Sequence, residues 1–115
     1  MLRTFLNSKI HQARVTDANI EYEGSLTLDI ELIEQAGFGV YEKILVVDIE
    51  NGNRFETYLI EGERHSRTVC VNGAAAHLVQ KGDRLIIMSF TQLASEEIKK
   101  HKPTVIRLNA KNEPL

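Results

Sequence analysis

Apolar and polar residues alternate with period two in short runs along this chain, which is the pattern of half-buried β-strands. From Lys9 to Val15 one parity reads Lys9, His11, Ala13, Val15, predicting a first strand with a mixed face. From Ile20 to Leu28 the residues Ile20, Tyr22, Gly24, Leu26 and Leu28 share one parity, predicting a second strand interrupted at Gly24. A residue without a side chain weakens a strand there and marks a bulge or a close backbone approach. The spacing changes at Asp29–Ala36, where Ile30, Leu32 and Ile33 fit a helix with Asp29 as N-cap and Gly37 as its stop. Ile44–Glu50, Asn51-Gly52 and Arg54–Ile60 read as a hairpin with a two-residue turn. Thr68–Val71 is a further strand, Gly73–Val79 a helical turn, and Arg84–Phe90 a strand after the Lys81-Gly82-Asp83 turn. Ser95 can cap a helix carrying Glu96 and Glu97 first and Lys99, Lys100 and Lys102 late, stopped by Pro103, with Thr104–Leu108 as the last strand. Many short strands with small helices, and no regular strand–helix alternation, predict a mainly β, compact barrel.

Composition narrows this picture. The 115 residues make one domain, 1–115, with a hydrophobic share of 43% and a charged share of 26% typical of a globular protein. A net charge of -2 argues against nucleic acid, which requires a concentrated basic face. Cys70 is the only cysteine, so no intrachain disulfide forms, and its valine neighbours read as a strand with a buried structural thiol. The N-terminus lacks an apolar signal core, and the runs Ile44–Val47 and Leu85–Met88 are too short to span a membrane. A cytoplasmic protein that neither binds nucleic acid nor enters a membrane is expected.

Conventional active-site patterns are missing. His11, His65, His77 and His101 show no paired metal spacing, and there is no second thiol, so no metal site is expected. His11, near Lys9 on the same parity, is the one histidine with a candidate role. Three short motifs remain: Tyr22-Glu23-Gly24-Ser25, Arg54-Phe55-Glu56-Thr57-Tyr58 and Asn72-Gly73-Ala74-Ala75-Ala76. Each alone has an ordinary structural reading as a bulged strand, a hairpin return strand and a tight turn into a small-residue helix.

Their conjunction resembles the pyruvoyl-dependent aspartate 1-decarboxylase family. The resemblance runs from Met1 to about Asn112 and includes Lys9, Tyr22-Glu23-Gly24-Ser25, Asn51-Gly52, Arg54, Thr57-Tyr58, Ser66, Val71–His77, Gly82-Asp83, Ser89-Phe90 and Asn112-Glu113. Val47 departs from it, standing where some members carry tryptophan. The resemblance implies a six-stranded double-psi β-barrel with short helices, assembled as a homotetramer with sites between subunits. It implies self-cleavage between Gly24 and Ser25 into fragments 1–24 and 25–115, with Thr57 bonded to the Gly24 carbonyl and a maturation partner as an option. Ser25 becomes a covalent pyruvoyl group, without metal or PLP. L-aspartate then forms a Schiff base on it and is converted to β-alanine and carbon dioxide for pantothenate synthesis. Tyr58 is the implied proton donor, Arg54 is assigned to the substrate's side-chain carboxylate, and Lys9 adds positive potential. Asn72, Gly73, Ala74 and Ala75 complete the substrate site. The competing reading is a non-catalytic, oligomerising β-barrel module. Simple alternation sets Arg54 and Tyr58 on one strand face and Thr57 on the other, so one site needs a bent strand or a subunit boundary.

Overall fold

A computed structural model describes all residues, 1–115. The fold is mainly β with a few short helices. The strands are β1 (Arg3–Arg14), β2 (Asp17–Asn19), β3 (Ser25–Asp29), β4 (Lys43–Asp48), β5 (Arg54–Gly62), β6 (Val69–Asn72), β7 (Arg84–Leu93) and β8 (Thr104–Arg107). The helices are α1 (Ile30–Ala36) and α2 (Ser95–Ile98), with a 3-10 helix over Gly73–Leu78. Hydrogen bonding orders the strands β2-β6-β3-β5-β4-β7-β1-β8. Three pairings are parallel, β1 with β8, β2 with β6 and β3 with β5, and the rest are antiparallel.

Alternation sorts the core from the surface. Ile10, Ala13, Leu26, Leu28, Ile44, Val46, Leu59, Val69, Val71, Leu85 and Ile87 face inward and are buried, joined by Leu32, Ile33 and Ala36 of α1. Helix α1 begins and ends where its cap residues dictate. The Asp29 carboxylate accepts the Glu31 N–H at 2.8 Å, and Gly37 adopts φ +75° in the left-handed region. Asp29 is fully buried and also receives the His65 and Arg67 N–H groups, so one carboxylate ties the loop after β5 to the helix start. At the other end Asn112 exchanges bonds with the Arg14 backbone at 2.7 and 2.9 Å and donates to the Arg67 carbonyl at 3.0 Å.

Four local expectations change. The second strand does not start at Ile20: Ile20 and Tyr22 are exposed, Asn19–Tyr22 form a turn, and the strand begins at Ser25. Burial, which alternation alone does not establish, is missing on that stretch. The hairpin loop is longer than two residues. Asp48 N–H bonds to the Asn53 carbonyl at 2.8 Å and Gly52 N–H to the Asp48 carbonyl at 2.9 Å, with positive φ at Gly52 alone. At α2, Ser95 is the first helical residue; the cap is Ala94, whose N–H is received by the Glu97 carboxylate at 2.8 Å. Cys70 is half-buried, on the strand face away from the core. No helix is long and apolar enough to cross a membrane.

Candidate active site

Two groups of residues gather the chemistry-bearing side chains, and they lie on different parts of the sheet. The first surrounds the Gly24–Ser25 bond. Ser25 opens β3, is 1% exposed, and pairs with Asn72 at the end of β6. Its φ is +118°, a backbone conformation that costs an L-residue about 1–3 kcal/mol. The strain therefore sits on Ser25; the glycine before it is not among the residues with positive φ. The Asn72 amide donates to Ser25 Oγ at 3.3 Å and to Thr27 Oγ1 at 2.9 Å.

Gly73 is glycine for two independent reasons. Its φ is +71°, and a Cβ there would lie 2.7 Å from Gly24 Cα and 2.8 Å from Gly24 N. The start of the 3-10 helix is thus pressed against the residue before Ser25, with Ala74 exposed and Ala75 half-buried just beyond. The parallel β3–β5 register pairs Leu26 with Leu59 and Thr27 with Ile60, so Ser25 and Thr57-Tyr58 lie just before the paired stretches of neighbouring strands. Thr57 is half-buried and makes no hydrogen bond to Gly24 within the chain, while Tyr58 is 41% exposed. A hydroxyl-bearing residue held by an amide donor and bordered by backbone and small side chains is a site that fits a small keto group derived from Ser25.

The second group lies on the outer face of β1, β7, β4 and β5. The registers align His11, Ile86, Val47 and Arg54 in one row, and Lys9, Met88, Leu45 and Glu56 in the next. Directly opposed residues share a face, so Lys9, His11, Arg54 and Tyr58 all project outward around a half-buried apolar strip of Leu45, Val47, Ile86 and Met88. Lys9 and Arg54 form no ion pair, whereas Arg84 binds Glu50 at 2.9 Å, Arg64 binds Glu34 at 2.8 Å and Lys43 binds Glu56 at 3.1 Å. His11 Nδ1 is buried without a partner, and its pKa is lowered by burial and by the charges of Lys9, Arg107 and Arg84. Its imidazole is held toward the neutral form. A shallow, open surface hollow of about 310 Å³ is bordered by Lys43, Glu56, Thr57 and Tyr58.

These positions separate the expected site residues. Ser25, Asn72 and Gly73 come together, with Thr57-Tyr58 on the neighbouring strand β5; Lys9 lies on β1, three strands from β5, or about 14 Å along the sheet. Arg54 and Tyr58 share a strand face but stand four residues apart, about 13 Å. Thr27, Leu45, Ile86 and Met88 border these groups without having been singled out beforehand. The continuous apolar runs Ile44–Val47 and Leu85–Met88 carried a signal for the last three, because such runs mark strands covered on both faces.

The chain is mainly β, with a strained serine behind a glycine and cations gathered around a half-buried apolar strip, and its relatives make it an enzyme. The aspartate decarboxylase family model matches residues 1–115, and the chain belongs to that family. It is 54% identical to the aspartate 1-decarboxylase of Clostridium botulinum (strain 657 / Type Ba4) over 112 residues, 97% of this chain and 88% of the relative. It is 55% identical to that of Clostridium kluyveri (strain NBRC 12016), again over 97% and 88%. With the Caldicellulosiruptor saccharolyticus enzyme of the same name the identity is 54% over 113 residues, covering 98% and 88%.

Proposed function

We propose that this chain is a self-processing, pyruvoyl-dependent decarboxylase that converts L-aspartate to β-alanine and carbon dioxide. Family membership supports the reaction; the observation that carries the maturation step is the buried, strained Ser25 held by Asn72 directly after Gly24. Ser25 Oγ attacks the Gly24 carbonyl carbon, and the carbon–nitrogen bond breaks as the acyl group passes to oxygen. Release of the positive φ at residue 25 favours this shift. Elimination of the Gly24 carboxylate from the ester leaves dehydroalanine, and hydrolysis with loss of ammonia yields fragment 1–24 and a fragment 25–115 headed by a pyruvoyl group. The Thr57 hydroxyl, free of other partners, is available to the Gly24 carbonyl as an oxyanion donor.

The pyruvoyl carbonyl supplies the electron sink that amino-acid decarboxylation needs. Tyr58 returns a proton to Cα from its phenolic hydroxyl. Arg54 grips the side-chain carboxylate with two parallel hydrogen bonds, leaving the departing carboxylate unclamped. Lys9 adds positive potential. Asn72, Gly73, Ala74 and Ala75 line the reacting end, where small side chains leave room for the substrate.

A four-carbon substrate spans roughly 5 Å, far less than the separation of Lys9 from the Ser25 region along one sheet. The reading therefore has Ser25, Tyr58 and Asn72 from one subunit meeting Lys9 and Arg54 from its neighbour, in a homotetramer whose interface covers the apolar strip. On this reading the six strands between the short edge strands β2 and β8 make up the six-stranded double-psi barrel that the family resemblance implies. Intact-mass measurement tests the proposal: two fragments divided at Gly24/Ser25 are expected, the larger without a free α-amine. A chain that stays whole after long incubation contradicts unaided maturation, and absence of β-alanine from cut protein favours a non-catalytic module.

A further inference from the structure

Strands β3 and β6 set four polar side chains into one square on the face away from the core. Ser25 pairs with Asn72 and Thr27 pairs with Cys70, while Leu26, Leu28, Val69 and Val71 point the other way into the interior. A carboxamide has one oxygen acceptor and two N–H donors, and its two ends are nearly the same size, so its partners decide which end faces which way. Here all three are engaged. Cys70 Sγ–H donates to Asn72 Oδ1 at 3.2 Å, and the Asn72 NH2 donates to Thr27 Oγ1 at 2.9 Å and to Ser25 Oγ at 3.3 Å.

We propose that Cys70 and Thr27 are positioning residues for maturation: Thr27, whose hydroxyl can donate or accept, anchors the near end of the Asn72 amide, and Cys70 sets its direction so that an N–H, and not the carbonyl oxygen, meets Ser25 Oγ. This rests on the reading of Gly24–Ser25 as the bond that is cut. The direction matters chemically. With Ser25 Oγ accepting a hydrogen bond, its own O–H is turned away from the amide and a lone pair remains for the Gly24 carbonyl carbon. In the attack the Oγ–C bond forms, the Gly24 C–Ser25 N bond breaks, and the hydroxyl proton ends on the freed nitrogen. With the amide reversed, Oδ1 would accept the Ser25 O–H and hold the proton that has to leave. Reversal would also turn an NH2 group toward a thiol, which is a weak acceptor. Burial, and then the nearby Asp17 charge, raise the Cys70 thiol pKa, which keeps the sulfur protonated and a donor.

The test follows cleavage of freshly purified, uncut protein by intact mass. Loss of one net hydrogen bond corresponds to about two- to tenfold in rate. Cys70→Ala is expected to cut about tenfold more slowly, Thr27→Val about threefold, and Cys70→Ser, which restores a donor, within about twofold of wild type. Cys70→Ala cutting at the wild-type rate overturns the proposal, as does Cys70→Ser cutting no faster than Cys70→Ala. A wild-type chain that never cuts instead overturns the maturation reading on which the proposal rests. The contact has its own readout. Because Cys70 is the only cysteine, the infrared S–H stretch of uncut Ser25→Ala protein reports on it alone. That band is expected at lower frequency than in Ser25→Ala/Asn72→Ala. Identical bands in the two proteins overturn the contact whether or not any chain cuts.

Discussion

The β3–β6 corner and the outer face of β1, β7, β4 and β5 handle polar groups in opposite ways. At the corner nearly every polar atom is satisfied within the chain: Asn72 uses its oxygen and both hydrogens, and Gly73 closes against Gly24. On the outer face Lys9 and Arg54 have no counter-ion, and Phe90 is 43% exposed beside half-buried Met88 and Leu45. On the proposed reading the difference separates two tasks: one chain holds what cutting Gly24–Ser25 requires, while its substrate-binding groups are completed by another molecule. Maturation and turnover are therefore expected to separate under mutation.

Ile86→Glu attacks the outer face alone. A carboxylate in the apolar strip is expected to dissociate the assembly and take decarboxylation to background while cutting persists; light scattering and carbon dioxide release check both. Tyr58→Phe keeps the strand and removes the proton donor, so fragments should form normally while turnover falls by about 10²–10⁴-fold. Full turnover in that variant removes Tyr58 from the mechanism. Gly73→Ala attacks the corner instead: its methyl group would meet Gly24 Cα at 2.7 Å, at a φ of +71°. Strain of about 1–3 kcal/mol at that position is expected to slow cutting by about 5- to 150-fold, followed by mass spectrometry against time.

Asp48→Asn is expected to have the smallest effect, and on stability only. Asp48 is fully buried at the base of the β4–β5 hairpin, and burial together with the neighbouring Asp83 carboxyl pushes its pKa up to about 6. The unfolded value is about 3.9, so the folded chain binds more protons between the two values. Its contribution is fully present below about pH 4 and is lost as pH rises through about 6. An amide can donate to Asp83 at any pH, so Asp48→Asn should flatten that fall and gain about 2 kcal/mol at pH 8, read from denaturant melts. Cutting and turnover should stay unchanged; a change in either would link the hairpin base to one of the two regions.

Much of the fold was legible because local chemistry and burial agree. Asp29 and Gly37 bracket α1 as their side-chain and backbone properties require, and alternation sorts Arg54, Glu56 and Tyr58 from Phe55, Thr57 and Leu59. It misled at Ile20 and Tyr22, where alternating residues have nothing to pack against. The hairpin was visible in Asn51-Gly52, but loop length depends on where Asp48 and Asn53 pair, which those two residues do not determine. Of the site, residue types were readable and relations were not. The contact of Gly73 with Gly24 and the bonds of Asn72 to Ser25 and Thr27 join segments distant along the chain. The row linking His11, Ile86, Val47 and Arg54 exists only once three strand registers are known.

Subunit complementation tests the separation of the two regions most directly. On the proposed reading Ser25→Ala chains should stay uncut but present an intact outer face, and Arg54→Ala chains should cut but lack the carboxylate-binding group. Each homo-oligomer alone should be nearly inactive toward aspartate. Hybrid tetramers reassembled from the two should recover decarboxylation well above the sum of the parents, because Ser25-derived centres then meet Arg54 from a neighbour. Hybrid activity no greater than that sum, in verified mixed tetramers, would contradict a site shared between chains.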